Sequence, residues 1–152
     1  MERKGNILIV DDDPSIRKVM AAILEEKGYK VDTAETGKIA IQKSKTKFYN
    51  LALLDIRLPD MEGTELLTQM KQTTPPMIKI MVTGYPSLQN AVEALNKGAH
   101  AFIIKPLNID QALKIIENLL EKQRESLTMT QDKIADFIET RAKQLEQEAI
   151  TK

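Results

Sequence analysis

Five short apolar runs alternate with longer amphipathic stretches along most of the chain, and this alternation restricts the fold more than any other feature of the sequence. The runs span residues 7–10, 30–34, 51–54, 78–82 and 101–104. Each is rich in β-branched residues or leucine and is bounded by polar residues, which is typical of a buried strand. A strict alternation of strands and helices favours a parallel sheet with helices on both faces.

The stretches between the runs have helical spacing and recognisable ends. The first begins at Pro14, presents Ile16, Met20 and Leu24 on one face, and meets Gly28 just past its end. Proline at the start and glycine after the end are typical of a helix. Further helices are predicted over residues 39–45, 64–71, 88–97 and 109–122 on the same grounds.

The apolar pattern changes after about residue 124. Residues 126–131 lack strong periodicity, and Thr128 with Gln131 has the form of an N-terminal capping box. One helical face, interrupted by Arg141, then carries the apolar residues Ile134, Phe137, Ile138, Leu145 and Ala149. We therefore predict a domain at residues 1–125 and a C-terminal segment at 126–152, with a separate amphipathic helix over about 130–149.

Composition excludes several classes of function. The chain has no cysteine, so it has no disulfide framework, thiolate nucleophile or cysteine metal site, which is consistent with a reducing cytoplasm. Its 22 basic residues balance 22 acidic ones, so strong non-specific attraction to nucleic acid or anionic membranes is not expected. No apolar run approaches the roughly 18 residues that span a bilayer. A single C-terminal helix is too short for a helix-turn-helix, so direct DNA binding is not expected.

Chemically reactive side chains follow the predicted strands at the points where the strands end. These side chains are Asp11, Asp12, Asp13, Asp55, Thr83 and Lys105. The carboxyl ends of parallel strands share one edge of the sheet, where ligands bind at the topological switch point. We therefore expect several carboxylates, one hydroxyl and one ammonium group to meet in one crevice.

This set of groups suits phosphoryl chemistry. Gathered carboxylates resist joint ionisation unless a cation intervenes, and hard oxygen ligands at this density favour Mg²⁺. A metal would screen the carboxylate of Asp55 from an incoming phosphoryl anion, so that Asp55 could act as nucleophile. Thr83 and Lys105 could then bind the phosphoryl oxygens. Acidic residues at strand ends are often only helix caps or solvated loop residues, but their convergence favours a site.

Four strings occur in order and with characteristic spacing: ILIVDDD, LALLDIRLPDMEG, MVTGYP and GAHAFIIKPL. Over about residues 5–125 the chain thereby resembles response regulator receiver domains of the two-component type. The resemblance implies an α/β, flavodoxin-like, doubly wound five-stranded parallel sheet of order 2-1-3-4-5 with five helices, to which we add the extra C-terminal helix. It implies a cytoplasmic, non-enzymatic switch that accepts a phosphoryl group from a histidine kinase or a histidine phosphotransfer protein.

The same resemblance assigns roles at the crevice. Asp55 is implied as the phosphoacceptor. Asp11, Asp12 and Asp55, together with the backbone carbonyl of Arg57, are implied as the ligands of Mg²⁺. Thr83 matches the switch hydroxyl of the family.

Two further matches lie on the fifth strand and its end. Phe102 matches the switch aromatic, and Lys105 matches the lysine that pairs with phosphate. A cis peptide bond is expected between Lys105 and Pro106, since the turn must aim Lys105 back into the crevice.

Other residues beside the crevice have expected roles outside the chemistry. Arg57 and Tyr85 are expected to flank the path of the hydrolytic water and to slow loss of the phosphoryl group. Asp13 is expected to cap the first helix. The first turns of that helix are expected to dock the kinase through Ser15, Ile16, Lys18 and Val19.

The sequence does not decide how this chain passes its signal on. Receivers that dimerise through their fourth and fifth helices usually carry an acidic residue before the aromatic and arginine in the last helix. Here Ala101 and Lys114 stand nearest those positions, so that dimer is not expected. The apolar stripe of the C-terminal segment is too narrow for a stable isolated helix. It could pack on its own receiver, pair with a second copy in a homodimer, or dock on another protein.

Two rival functions share parts of this pattern. Haloacid-dehalogenase-type phosphatases also use an Asp nucleophile, Mg²⁺, a Thr or Ser and a Lys. Their nucleophile is followed two residues later by an acid–base Asp, whereas this chain has Arg57, which cannot exchange the needed proton. A receiver that no longer takes phosphate is the second rival, and the complete set of site residues argues against it.

Overall fold

The structure, a computed structural model, describes residues 4–84 and 86–150, and its centre is a parallel sheet with helices on both faces. The strands are β1 (Asn6–Val10), β2 (Lys30–Ala34), β3 (Leu51–Asp55), β4 (Ile78–Thr83) and β5 (Ala101–Ile104). Their order is β2-β1-β3-β4-β5, and all neighbouring pairs are parallel. The helices are α1 (Pro14–Glu26), α2 (Gly37–Thr46), α3 (Gly63–Gln69), α4 (Leu88–Asn96) and α5 (Ile109–Ile150). The predicted fold class and sheet order are confirmed.

Two apolar cores lie on opposite faces of the sheet. Successive strand residues point to opposite faces, so Leu8 and Leu54 belong to one core and Ile9 and Leu53 to the other. The first core includes buried residues of α2, α3 and α4, and the second includes those of α1 and α5. Burial on both faces explains why the central strands are continuous apolar runs.

The ends of the helices follow local sequence signals. Asp13 caps α1, because its Oδ1 accepts a hydrogen bond of 2.8 Å from the backbone N–H of Ser15, with Pro14 as the first helical residue. Gly28 and Gly98 follow the ends of α1 and α4 with φ values of 99° and 101°. Glycine adopts this left-handed conformation without the steric cost of a side chain. The expected capping role of Asp13 is confirmed.

The C-terminal segment differs from its prediction, because α5 is one continuous helix that runs to Ile150. The hydroxyl of Thr128 donates to the backbone carbonyl of Arg124, four residues earlier, at 3.0 Å and therefore caps no new helix. The prediction of a break at residues 126–131 was wrong. No glycine or proline interrupts this stretch, so backbone hydrogen bonding continues. The side chains of this stretch are exposed, so no apolar face marks it as helical in the sequence.

Gln123 anchors α5 to the loops that precede β3 and β4. Its Nε2 donates to the backbone carbonyls of Asn50 at 3.1 Å and Pro76 at 2.9 Å, and Leu120 is buried one turn earlier. Every side chain at residues 124–149, called the tail below, is exposed. Within residues 4–84 and 86–150, no helix is long and apolar enough to cross a membrane.

Candidate functional site

The carboxyl ends of the strands open onto one cleft of about 490 Å³. Asp55 is the last residue of β3, Asp11 follows β1 directly, and Lys105 follows β5 directly. The residues that line the cleft are Asp11, Asp12, Asp13, Ile16, Asp55, Arg57, Gly84 and Lys105. The sheet thus brings together most of the side chains that the sequence places at strand ends.

Lys105 spans the two buried carboxylates of the cleft. Its Nζ lies 3.0 Å from Oδ2 of Asp11 and 3.4 Å from Oδ2 of Asp55. Burial and the neighbouring charge of Asp11 raise the pKa of Asp55 above its ordinary value, although Lys105 opposes both effects. Burial alone would lower the pKa of Lys105, but the two carboxylates outweigh burial and raise that pKa. The negative charge of the carboxylates in the cleft is therefore only partly neutralised by Lys105. A bound cation would neutralise more of it.

Three carboxylates of the cleft are placed to share a metal ion. Asp11, Asp12 and Asp55 each offer one oxygen, and these three atoms lie within 4.8 Å of one another. Carboxylate oxygens are the ligands that Mg²⁺ prefers, and the exposure of Asp12 leaves one side open to water. The donor set therefore fits Mg²⁺. The backbone N–H of Arg57 donates to Oδ1 of Asp55 at 3.3 Å, while ligation by the Arg57 carbonyl stays a prediction.

The two predicted switch residues lie next to the cleft but do not line it. Thr83 ends β4 one residue before Gly84 and has no exposed surface. Phe102 is partly buried against the core that includes Leu54, and it lies opposite Met81 in the strand register. Neither side chain is among the residues that line the cleft.

The first turns of α1 form one rim of the cleft. Ile16 is partly buried and lines the cleft, whereas Ser15, Lys18 and Val19 are exposed. Val19 is an apolar side chain with 54% of its surface accessible. This exposed apolar surface beside the cleft is compatible with the expected docking of a partner.

Two local expectations concern single residues. The Lys105–Pro106 peptide bond is cis, as predicted. Tyr85 lies outside the described residues, so its part in shielding the site stays a prediction. The side chain of Arg57 is exposed and lines the cleft, as a shielding role would require.

Sequence reasoning missed three residues that hold the site in place. Nη1 of Arg17 donates to the backbone carbonyl of Asp11 at 2.7 Å. A Cβ atom at Gly63 would overlap the backbone carbonyl oxygen of Asp55, so only glycine fits there. Asp60 accepts hydrogen bonds of 2.9 Å from the backbone N–H groups of Gly37 and Lys38.

These supports are contacts through space that join the ends of neighbouring strands, helices and loops. Asp60 and Gly63 begin and end the DMEG part of a recognised string, so two of the three residues lie in a matched motif, whereas Arg17 does not. The bond from Asp60 pins the loop after β3 to the start of α2, and it joins residues 23 positions apart. Such contacts leave no periodic pattern in the sequence.

Comparison with known proteins gives the same answer as the geometry. Residues 7–117 match the family described as the response regulator receiver domain. A receiver domain protein (CheY-like) from Methanospirillum hungatei JF-1 is 50% identical, with a TM-score of 0.76 over 80% of this chain and 97% of that one. The beryllofluoride-activated NtrC4 receiver domain dimer is 37% identical, with a TM-score of 0.72 over 78% of this chain and 98% of that one.

The curated relatives are longer proteins. The transcriptional regulatory protein ZraR of Klebsiella oxytoca is 37% identical over 133 residues, which are 87% of this chain but 30% of ZraR. This chain therefore spans about a third of the length of such relatives, and the likeness covers their receiver portion. With a family match over most of its length and a site of matching composition, the chain belongs to the response regulator receiver domain family.

Proposed function

We propose that Asp55 is the residue that accepts the phosphoryl group, with phosphohistidine of a partner kinase or phosphotransfer protein as donor. The observation that carries this proposal is the position of Asp55, a nearly buried carboxylate at the open edge of the sheet. Asp11 lies beside it, and Lys105 reaches both carboxylates. Asp12 and Asp13 are exposed at the same edge and lack the contact with Lys105.

The transfer is a direct displacement at phosphorus. A carboxylate oxygen of Asp55 forms the new P–O bond while the P–N bond breaks, and the imidazole nitrogen keeps the electron pair of the broken bond. Lys105 is placed to pair with the phosphoryl oxygens once they enter the cleft. Mg²⁺ held by Asp11, Asp12, Asp55 and the Arg57 carbonyl would offset negative charge on the carboxylate and the phosphoryl group.

The buried state of Thr83 supports a conformational response. We infer that its hydroxyl meets a phosphoryl oxygen after the end of β4 rearranges, and that Phe102 on the next strand then follows. Shifting such an equilibrium from about 1:99 to 99:1 requires roughly 5.5 kcal/mol of differential stabilisation. A few charge-assisted hydrogen bonds of about 1.5–3 kcal/mol each could supply this free energy.

Output by protein contact is supported by exposed apolar side chains next to the switch. Leu88 and Leu95 of α4 are 82% and 68% exposed, and Ile104 of β5 is 54% exposed. The tail is the C-terminal part of α5 and carries further exposed apolar residues. We infer a cytoplasmic signalling protein whose targets are proteins, including a possible second copy, and which makes no direct contact with DNA or membrane.

A metal-dependent labelling experiment tests the chemical part of this proposal. The protein is incubated with acetyl phosphate in Mg²⁺ or in excess EDTA, and its intact mass is measured. A single phosphoryl adduct in Mg²⁺ and little in EDTA is expected, whereas equal labelling in both would refute the metal site.

Receiver domains are generally non-enzymatic signalling domains, and we propose that this chain is no exception. Incubation with p-nitrophenyl phosphate should give no sustained release of nitrophenol. Sustained turnover that disappears in Asp55→Asn would instead support the phosphatase reading.

Deletion of residues 127–152 tests the role of the tail. Labelling of Asp55 should be unchanged, because the anchor of α5 at Gln123 remains. Oligomeric state or partner binding should change. A truncated protein that matches the full chain by light scattering in both phosphorylation states, and captures the same partners, would show that the tail is passive.

A further inference from the structure

The exposed apolar residues of the tail recur at coiled-coil spacing. Leu127 and Ile134 are seven residues apart, as are Ile138 and Leu145, and Ile138 follows Ile134 by four residues, so the four side chains fall on the two alternating seam positions of a heptad repeat. All four side chains are exposed in the structure, between 39% and 61%. A stripe with this repeat is the seam that a second helix covers in a coiled coil. The tail therefore presents one helical face that lacks its partner helix among the described residues.

We propose that this face is covered by the tail of a second copy, packed antiparallel so that Ile134 of one copy lies against the partner's Ile138. The same alignment places Leu127 against the partner's Leu145. Because a twofold axis relates the copies, each of these contacts occurs twice. The four apolar residues of each tail then all face apolar residues.

The polar residues that interrupt the stripe select this alignment. The seam positions between and beyond the apolar residues are Arg124, Gln131, Arg141 and Glu148. In the antiparallel alignment, Arg124 faces the partner's Glu148, and Gln131 faces the partner's Arg141. Two opposite-charge pairs and two charge-to-amide contacts therefore form across the dimer.

A parallel pair has no such complementarity. Each residue would face its own counterpart, so Arg124, Arg141 and Glu148 would each meet a like charge. Moving the antiparallel alignment by one heptad also fails. One direction sets Arg124 against the partner's Arg141, and the other sets Ile138 against the partner's Arg141. The charges thus act against the alternative pairings.

The residues that flank the seam agree with the same arrangement. On one side stand Ala135 and Ala142, whose small side chains allow two helices to approach closely. On the other side stands Phe137, which is 71% exposed and lies near the centre of the paired region. In the antiparallel dimer, Phe137 meets the partner's Phe137 across the twofold axis. This contact accounts for a large aromatic side chain that nothing covers in the single chain.

The arrangement fixes where the two receivers sit. Gln123, the anchor of α5, lies opposite the partner's residue 149, so the two anchors are separated by about 39 Å along the helix axis at 1.5 Å per residue. The receivers then occupy opposite ends of a two-helix rod. Both clefts then stay accessible, so Asp55 can be phosphorylated in the paired state.

Disulfide trapping tests the direction of the pairing, since the chain contains no native cysteine. The variants Leu127→Cys and Leu145→Cys are oxidised separately and as a mixture, and the linked tryptic peptides are identified by mass. The antiparallel dimer predicts a disulfide between positions 127 and 145 in the mixture and little disulfide in either variant alone. Efficient homodisulfides in each separate variant would mean parallel pairing and would overturn the proposal.

Charge exchange tests the alignment without altering the apolar seam. Arg124→Glu and Glu148→Arg should each weaken self-association at least fivefold, as measured by sedimentation equilibrium. The double variant should recover to within about twofold of the parent, because it exchanges the two charges and restores an opposite-charge pair. Lys133→Glu makes the same charge change off the seam and should have little effect. Arg124 also pairs with Glu121 in its own helix, so the helicity of every variant is checked by circular dichroism.

Each further result is decisive. Failure of the double variant to recover, or a protein that stays monomeric at every concentration, overturns the antiparallel dimer. Acetyl phosphate labelling of the same variants keeps the two proposals separate. Normal labelling of a monomer refutes only this inference, whereas an antiparallel dimer without labelling refutes only the proposed function.

Discussion

The ammonium nitrogen of Lys105 lies 3.0 Å from Oδ2 of Asp11, and this ion pair crosses the cleft between the ends of β5 and β1. Lys105 is farther from Asp55, at 3.4 Å. Its charge is thus shared between two carboxylates and only partly offsets the burial of Asp55 and the repulsion from Asp11. This relationship explains why the pKa of Asp55 is raised although a lysine is within contact distance.

The raised pKa predicts that Asp55→Asn stabilises the folded protein in the absence of Mg²⁺. The folded state binds a proton at Asp55 more tightly than the unfolded chain does, so the ionised carboxylate costs stability once the pH rises through the raised pKa. At pH 7 the variant should gain on the order of 1 kcal/mol in its free energy of unfolding, a typical size for one substitution. The gain should vanish below about pH 3, where the carboxyl is protonated in both states. Urea unfolding in EDTA at both pH values measures this, and an Asn variant that is less stable at pH 7 would contradict it.

Gly63 is predicted to be essential for the geometry of Asp55. In Gly63→Ala, the new Cβ would overlap the backbone carbonyl of Asp55 and approach within 2.9 Å of the Cα of Ile56. We expect a loss of about 1–3 kcal/mol in the free energy of unfolding, as for other overpacked sites, together with weaker Mg²⁺ binding. Gly84→Ala is the matched control, because its Cβ would lie 3.9 Å from the Lys105 side chain. Equal behaviour of the two variants in denaturation and Mg²⁺ titration would show that the close approach has no consequence.

Arg57 is predicted to prolong the life of the phosphorylated state. Its side chain lines the cleft two residues beyond Asp55, where it can hinder an approaching water. Arg57→Ala should speed loss of the phosphoryl group about threefold, which corresponds to about 0.6 kcal/mol in activation free energy. The decay of the adduct after removal of acetyl phosphate gives the rate. An unchanged rate means that the arginine does not shield the bond.

The exposed side of α1 is predicted to dock the kinase. Val19→Asp places a charge on an exposed apolar position and should slow transfer from the cognate kinase while sparing labelling by acetyl phosphate. Ile16→Asp should do the same with greater effect, since Ile16 lines the cleft, but it also contacts the core. Val19→Asp therefore carries the test. Normal transfer to that variant would place the docking surface elsewhere.

Much of the fold was predictable because the central strands are apolar on both faces. Runs at residues 51–54 and 78–82 were placed within one residue of β3 (Leu51–Asp55) and β4 (Ile78–Thr83). The meeting of Asp11, Asp55 and Lys105 followed from the rule that parallel strands end at one edge. The signal in each case is a short apolar run and the residue that follows it, which can be recognised locally in the sequence.

What the sequence could not predict depends on contacts through space or on their absence. Two such contacts can be recognised only in the folded structure. They are the hydrogen bond from Arg17 to the Asp11 carbonyl and the close approach of Gly63 to the Asp55 backbone. The continuity of α5 was missed for the opposite reason. The side chains of residues 124–131 are exposed, so no apolar period marks this stretch as helical.

Localisation of the phosphoryl group tests the central claim most directly. The protein is labelled with acetyl phosphate in Mg²⁺, trapped by reduction with borohydride, digested and mapped by mass spectrometry, in parallel with Asp55→Asn and Asp12→Asn. The account predicts that modification in the parent is confined to Asp55, disappears in Asp55→Asn, and persists at Asp55, though reduced, in Asp12→Asn. Modification that remains in Asp55→Asn, or that maps to Asp11 or Asp12 in the parent, would contradict it.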